Sequence, residues 1–106
     1  MLERNFQQSL IKDLKKEFPE ALIYKMDAQY KQGTPDILIL NGNKWAALEV
    51  KKSKTASHRP NQDYYVTKMN KMSYAAFVDP SNKAEVINEL HETFRPRRST
   101  CISRSE

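Results

Sequence analysis

The sequence contains few of the residues on which several common kinds of site depend. Of its 106 residues, two are glycines, two are histidines and one is a cysteine. Two glycines are too few for a glycine-rich phosphate-binding loop. Cys101 is the only cysteine, so an intrachain disulfide is impossible, and its spacing to His58 and His91 does not fit a zinc site. Phosphate loops, disulfide scaffolds and zinc sites are therefore excluded.

Long apolar runs are absent as well. No stretch approaches the roughly 20 apolar residues of a membrane-spanning helix, and Met1 to Asn5 lack the apolar core of a signal peptide. Hydrophobic residues make up 39% of the chain, which suits one globular domain of this length. We therefore expect a soluble protein with no membrane partner in an intracellular, cytoplasmic compartment.

Positive charge is unevenly distributed along the chain. The net charge is +5, and the segment 95–106 carries +3 of it because it has four arginines and only one acid, Glu106. This segment is polar, basic and aperiodic, so we expect a folded domain over 1–94 and a basic, flexible tail over 95–106. A second basic cluster lies within the domain and consists of Lys51, Lys52, Lys54 and Arg59. Such clusters bind nucleic-acid phosphates, although most lysine-rich loops are simply solvated.

The hydrophobic pattern predicts an α/β fold. The predicted order is a helix over 2–17, a strand over 21–26, a hairpin within 33–51, a helix over 60–71 opened by Pro60, a strand over 73–78 and a helix capped by Asp79. Short turns make the first three strands antiparallel, and the next strand–helix–strand step predicts a right-handed parallel crossover. We therefore expect a mixed β-sheet with helices on both faces.

The dipeptide Asn41-Gly42 lies between two apolar runs and predicts a tight β-hairpin. A loop of Gly42-Asn43 pairs Asp36 directly with Glu49, and a loop of Asn41-Gly42 makes them diagonal neighbours on one face. A three-residue loop places these carboxylates on opposite faces. Directly opposed Cβ atoms lie about 4.5–5.5 Å apart, where like charges are destabilising. A divalent cation between the carboxylates is the natural compensation.

Three further residues are candidates for the same site. Lys51 lies two positions beyond the second carboxylate, so its ammonium projects from the same face of the strand. Glu3 falls within the apolar arc of the first helix, where a carboxylate is costly unless it is paired or binds metal; an ordinary first-turn acid is the alternative. Gln62 projects from the apolar side of the second helix, where it either joins the site or packs on the sheet. His58 and His91 are predicted to be surface residues.

The pattern Pro35-Asp36 followed by Glu49-Val50-Lys51 resembles the motif of the PD-(D/E)XK nuclease superfamily. The glutamate of the first helix, Gly33 before the motif and the glutamine Gln62 are similar to those of the virus-type replication-repair nuclease (VRR-NUC) branch and of related phage Holliday junction resolvases. The resemblance covers roughly residues 2–90. It implies a restriction-endonuclease-like αβββαβ core, which agrees with the predicted order of elements.

The resemblance also implies a metal-dependent phosphodiesterase that acts on DNA in repair and recombination. It assigns catalysis to Asp36, Glu49, Lys51 and Gln62. It assigns Mg²⁺ or Mn²⁺, hard cations that prefer oxygen ligands, to Asp36, Glu49, the Val50 carbonyl and Glu3. The expected phosphate contacts are Lys52, Ser53, Lys54 and Arg59. No small-molecule cofactor is expected.

The first hypothesis is a structure-selective endonuclease that resolves Holliday junctions as a homodimer, because a two-fold dimer presents two sites to a two-fold junction. Flap, nicking, homing and restriction endonucleases share the catalytic face and stay open as alternatives. A different class is a noncatalytic nucleic-acid-binding module, in which the acidic hairpin is structural and the basic loop and tail bind phosphates. Dependence of cleavage on Mg²⁺ distinguishes the enzyme from the module.

Overall fold

The structure is a computed structural model that describes residues 2–27 and 33–95. Its elements in chain order are α1 (Glu3–Glu17), β1 (Leu22–Lys25), β2 (Ile37–Asn41), β3 (Lys44–Val50), α2 (Gln62–Met72), β4 (Tyr74–Val78) and α3 (Lys83–Phe94). This is the predicted order of helices and strands. Apart from Arg95, the tail predicted over 95–106 lies outside the described residues. Within the described ranges, no helix is long and apolar enough to cross a membrane.

The four strands of the described chain form one mixed sheet in the order β1-β2-β3-β4. The pairs β1–β2 and β2–β3 are antiparallel, and β3–β4 is parallel. Helix α2 connects the two parallel strands, as the strand–helix–strand pattern predicts. The α/β fold with a mixed sheet is therefore confirmed.

The two faces of the sheet are covered by different helices. The larger core lies between α1, α3 and one face, and its fully buried side chains include Leu10, Leu14, Ile37, Ile39, Leu48 and Leu90. A smaller cluster lies between α2 and the other face and consists of Ala47, Val66 and Ala75, with Trp45, Met69 and Phe77 packed against it. Helices on both faces, as predicted, are thus confirmed. The larger core supplies most of the apolar burial that stabilises the fold.

The C-terminal end of α1 and its polar contacts position this helix beside α3. The N–H of Phe18 donates to the carbonyl of Leu14 at 2.9 Å, and the helix stops there because Pro19 cannot continue it. An ion pair and a hydrogen bond then join α1 to α3: Asp13 contacts Lys83, and Glu17 lies 2.7 Å from Nε2 of His91. Together with the core, these contacts fix α1 against α3.

Two predicted helix starts are wrong by two or three residues. Pro60 does not open α2, because Asn61 follows it with a positive φ of 72° and the helix begins only at Gln62. Asp79 does not cap α3 either. Its Oδ1 accepts the N–H of Ser81 at 2.7 Å, so residues 79–82 form a turn and the helix starts at Lys83. Asp side chains that bond to nearby backbone N–H groups favour such turns over helix.

The β2–β3 hairpin adopts the first of the three possible registers. Asn41 faces Lys44 and Leu40 faces Trp45, which leaves Gly42-Asn43 as a two-residue loop. Gly42 has a φ of +66° and Asn43 does not have a positive φ, the pattern of a type II′ turn. Counting from the last ladder pair, Ile37 with Leu48, the next opposed positions are Asp36 and Glu49. The predicted two-residue loop is therefore confirmed, and the side chains of Asp36 and Glu49 come within hydrogen-bonding distance of each other just beyond the ladder.

Gly33 fixes the approach of the chain to Asp36. Its φ is +89°, and a Cβ at this position would lie 2.8 Å from three ring atoms of Tyr65 on α2. Gly42 also has a positive φ, but a Cβ there would meet nothing within 4 Å. A side chain at either glycine would therefore strain the backbone, but only at Gly33 would it also clash with a neighbouring residue.

We expect Gly33→Ala to destabilise the protein by about 2–3 kcal/mol and Gly42→Ala by about 1 kcal/mol, because both lose a left-handed backbone conformation and only the first also overpacks. Urea denaturation gives both values. In a Tyr65→Ala background the excess cost of Gly33→Ala should disappear. Equal costs for the two glycines in the wild-type background would contradict the role assigned to Tyr65.

Candidate active site

Asp36 and Glu49, hereafter the acid pair, face each other at the end of the β2–β3 ladder. The backbone of Asp36 is hydrogen-bonded to the chain segments on both sides of it. Its N–H donates to the carbonyl of Leu48 at 3.1 Å, and its carbonyl accepts the N–H of Met26 at 2.8 Å. Its side chain is also fixed, because Oδ2 accepts the N–H of Val50 at 2.8 Å. The position of the Asp36 carboxylate is therefore set by the sheet itself.

Glu49 is buried, with 4% of its surface exposed. Burial, followed by the charge of Asp36 and a hydrogen bond with it, raises the pKa of Glu49 from the ordinary 4.5 to about 8; Lys51 and Arg59 act in the opposite direction. Two carboxylates this close do not both ionise readily. In the absence of another cation, the acid pair thus holds a proton at neutral pH.

Lys51 continues β3 on the same face as Glu49 and is also buried, with 7% of its surface exposed. Its backbone N–H donates to the carbonyl of Val78 at 2.8 Å. Its Nζ donates to Oε1 of Gln62 at 2.7 Å and to the carbonyl of Ser57 at 3.3 Å, and lies 6.0 Å from the centre of the Phe77 ring. The ammonium is therefore held in one place by neutral acceptors.

Gln62 joins the site through this lysine. As the first residue of α2 it lies beside the sheet, and its Oε1 accepts a second hydrogen bond, from the backbone N–H of Arg59, at 2.7 Å. One amide oxygen thus links the lysine to the loop that precedes α2. Of the two roles left open by the sequence, the structure places Gln62 against Lys51.

The predicted phosphate contacts lie in the loop between β3 and α2. Lys52, Lys54 and Arg59 are exposed and Ser53 is partly buried, with Oγ of Ser53 3.4 Å from Oγ1 of Thr55. The positive charge of Arg59 lowers the pKa of the buried glutamate. Among these predicted phosphate contacts, Arg59 therefore acts electrostatically on the acid pair.

Glu3 is not brought into contact with the acid pair. It is exposed in the first turn of α1, whose core lies on the opposite face of the sheet. The short connection Phe18–Ala21 makes α1 run back along β1, and β1 ends at Lys25 opposite Ile37, so Glu3 and Asp36 lie at the same end of the sheet. Over residues 2–27 and 33–95, no three His, Cys, Asp or Glu side chains form a group that could hold a metal ion.

The oxygen atoms at the acid pair nevertheless fit a hard divalent cation. The N–H of Val50 points to Asp36, and the N–H and C=O of one strand residue point to the same side, so the Val50 carbonyl is directed toward β2 as well. Mg²⁺ commonly takes one or two carboxylates and completes its coordination with water and substrate phosphate. Two carboxylates that hold a proton between them are suitable ligands for such a cation, because the cation can replace that proton.

His58 is a residue that the sequence did not assign to the site. It was predicted to lie on the surface, and the structure confirms that it is exposed, although its side chain makes two contacts. Its ring stacks on Phe77 with centroids 4.0 Å apart, and its Nδ1 lies 2.8 Å from Oδ1 of Asp63. The only sequence signal was its position in the basic loop, because the stack depends on a strand residue far along the chain.

Comparison of the chain with protein-family models, with curated proteins and with solved structures gives no match. The interpretation of the site therefore rests on its own geometry. That geometry consists of a proton-sharing acid pair, a buried ammonium held by Gln62, and an adjacent basic loop.

The acid pair should make the metal-free protein less stable as pH rises. The pKa of Glu49 is about 8 in the folded protein and about 4.5 as an ordinary glutamate, so folding favours the protonated form. This contribution is complete below about pH 4.5 and is lost as pH rises through about 8. Glu49→Gln removes the titration, so its unfolding free energy, measured in urea with EDTA, should fall less over this pH range than that of wild type.

Glu92→Gln is the matched control, because Glu92 is an exposed glutamate that pairs with Arg95 at 2.7 Å on α3. Its stability should follow the wild-type pH dependence. If Glu49→Gln also follows the wild-type curve, Glu49 does not hold a proton in the folded protein.

Proposed function

We propose that this protein is a metal-dependent endonuclease that hydrolyses phosphodiester bonds in DNA. The observation that carries the proposal is the convergence of Asp36, Glu49 and Lys51 on one face at the end of the sheet. A binding module needs no such group, and the acids would repel DNA in the absence of a cation. Hydrolysis needs both the acids and the ammonium.

In this proposal the acid pair and the Val50 carbonyl hold Mg²⁺ or Mn²⁺. Such a cation lowers the pKa of a bound water molecule and neutralises charge on the scissile phosphate. Asp36 contributes a carboxylate already positioned by the Val50 N–H. Glu49 contributes the second carboxylate after losing the proton it holds at neutral pH, so metal affinity increases with pH.

Lys51 is proposed to orient the attacking water or to stabilise charge on the phosphate. The described part of the chain uses two of its three N–H donors, for Gln62 and Ser57, and the third can therefore bond to a water or phosphate oxygen. Its two hydrogen-bond acceptors carry no charge, so neither of them neutralises the ammonium. Gln62 acts by holding this ammonium.

The exposed basic loop is proposed to bind the phosphates on either side of the cleaved bond. Lys52, Lys54 and Arg59 are exposed in the loop that follows Lys51, and Ser53 offers a hydroxyl. Phosphate contacts of this kind position DNA without selecting a base sequence. The substrate class we propose is therefore defined by DNA structure, with a four-way junction as the first candidate and a homodimer as the form that cuts it.

The arrangement of the fold supports this proposal. A leading helix, three antiparallel strands, a helix and a parallel fourth strand agree with the restriction-endonuclease-like core. The acid pair and the lysine occupy the motif positions of the PD-(D/E)XK superfamily within that order. Membership of the superfamily and the junction-resolving subtype are parts of the proposal.

We expect purified protein to cleave at least one of four-way junction, flap, single-stranded and duplex DNA in Mg²⁺ but not in EDTA. Asp36→Ala and Lys51→Ala should each reduce the rate by about 100-fold or more, because each removes charge that stabilises the transition state. Lys68→Ala, on the exposed side of α2, is the matched lysine control and should cleave like wild type.

Absence of cleavage on all four substrates, or equal cleavage by wild type and both site variants, would contradict the nuclease proposal and favour the binding module. Gel filtration that gives only monomer, with and without junction DNA, would contradict the junction-resolving homodimer alone. A nuclease with another substrate would then remain.

Glu3 is proposed as a weaker contributor from the end of the sheet. Because it is exposed and outside the acid pair, Glu3→Gln should weaken Mg²⁺ binding by a smaller factor than Asp36→Asn and leave the unfolding free energy unchanged. Isothermal titration with Mg²⁺ and urea denaturation measure the two effects. Unchanged Mg²⁺ affinity would show that Glu3 is an ordinary first-turn acid.

A further inference from the structure

The loop before α2 is fastened to the rest of the molecule by His58. The imidazole stacks on Phe77 of β4 at 4.0 Å with an interplanar angle of 19°. On the α2 side, its Nδ1 and Oδ1 of Asp63 are 2.8 Å apart. One side chain thus connects the loop to a strand and to a helix at the same time.

The two residues that flank His58 both contact the Lys51–Gln62 pair. The carbonyl of Ser57 accepts a hydrogen bond from Nζ of Lys51 at 3.3 Å, and the N–H of Arg59 donates to Oε1 of Gln62 at 2.7 Å. Movement of His58 would therefore displace the Ser57 carbonyl, which accepts from Lys51. It would also displace the Arg59 N–H, which donates to Gln62. The ring of Phe77 also lies 6.0 Å from the same ammonium.

The contacts of His58 are better suited to orientation than to stability. The side chains of His58 and Asp63 are 33% and 75% exposed, and a polar contact this exposed to water contributes little to folding, whether or not the imidazole is charged. The stack adds packing at the edge of the smaller core, where Phe77 is only partly buried. Removal of His58 is therefore expected to leave the domain folded.

We propose that His58 is a positioning residue for Lys51. Stacked on Phe77 and bonded to Asp63, it holds residues 57–59 so that the ammonium of Lys51 stays aligned beside the acid pair. The role of the alignment in hydrolysis rests on the proposed function, but the alignment itself does not. His58 has no contact with substrate in this proposal and acts only through Lys51.

The chain supplies a matched control in its other histidine. His91 also contacts a phenylalanine, with its ring tilted by 40° against that of Phe18 and the centroids 4.5 Å apart, and its Nε2 lies 2.7 Å from Oε1 of Glu17. These contacts belong to the α1–α3 layer, on the opposite face of the sheet. His91→Ala thus removes the same kind of interaction without disturbing the loop.

The first experiment follows the ammonium group of Lys51 by ¹⁵N NMR in metal-free protein, with the signal assigned by its loss in Lys51→Arg. In His58→Ala we expect the signal to shift and broaden, because the Ser57 and Gln62 contacts loosen. His58→Phe keeps the stack and Asp63→Asn keeps the side-chain size, so both should show smaller changes. His91→Ala should leave the signal unchanged.

The second experiment measures cleavage in Mg²⁺. In His58→Ala we expect kcat to fall about tenfold with KM changed less than about twofold, because a misaligned group slows the chemical step more than it weakens binding. His58→Phe should recover part of the loss. His91→Ala should retain wild-type kcat and KM.

The outcomes separate this proposal from the proposed function. If wild type does not cleave, the nuclease proposal fails and the NMR signal alone decides the role of His58. An unchanged Lys51 signal in His58→Ala, or an equal change in His91→Ala, overturns the positioning role. If His58→Ala unfolds, His58→Phe and Asp63→Asn decide, and wild-type signals in both overturn the proposal.

Discussion

The pairing of Asp36 with Glu49 across the β2–β3 hairpin is the constraint on which the rest of the structure depends. Like charges at opposed positions are unfavourable, and the folded protein compensates by keeping a proton on Glu49, whose pKa rises to about 8. Apolar burial on the other face of β3 holds the two acids in this position despite the unfavourable contact. Leu48 and Val50 alternate with Glu49 and are buried in the larger core, so any shift of register that relieves the acids also exposes that core.

This alternation divides stability and chemistry between the two faces of the sheet. The α1–α3 side is filled with large aliphatic and aromatic residues, whereas the α2 side is built on the small residues Ala47 and Ala75. The small side chains leave only a modest apolar contact for α2. Hydrogen bonds at the start of α2 add to this small apolar contact, because Oε1 of Gln62 accepts from both Lys51 and the Arg59 N–H. Most of the apolar burial thus lies on one face of the sheet, and the candidate active site lies on the other.

The sequence predicts the parts of the site that follow from strand periodicity. A strand period of two places Asp36, Glu49 and Lys51 on one face in two of the three turn registers that Asn41-Gly42 allows, and the structure selects one of these two. Tertiary contacts decide the rest. The stack of His58 on Phe77 joins residues from a loop and a distant strand, and the turn at Asp79 displaces the start of α3. Helical phase predicted the apolar arc that contains Glu3, but phase alone does not show how far along the helix the core extends.

The site consists of a fixed part and a part whose charge depends on its surroundings. Lys51 is bonded to neutral acceptors, Gln62 and Ser57, and neither of these hydrogen bonds involves a carboxylate of the acid pair. Glu49 changes charge when its proton is replaced by a cation. In the proposed enzyme, the group that orients water is therefore ready before metal binds, and ionisation of Glu49 is the step that couples metal binding to pH. Loss of the His58 contacts would disturb the position of Lys51, whereas substitution of Glu49 would remove the group whose charge changes.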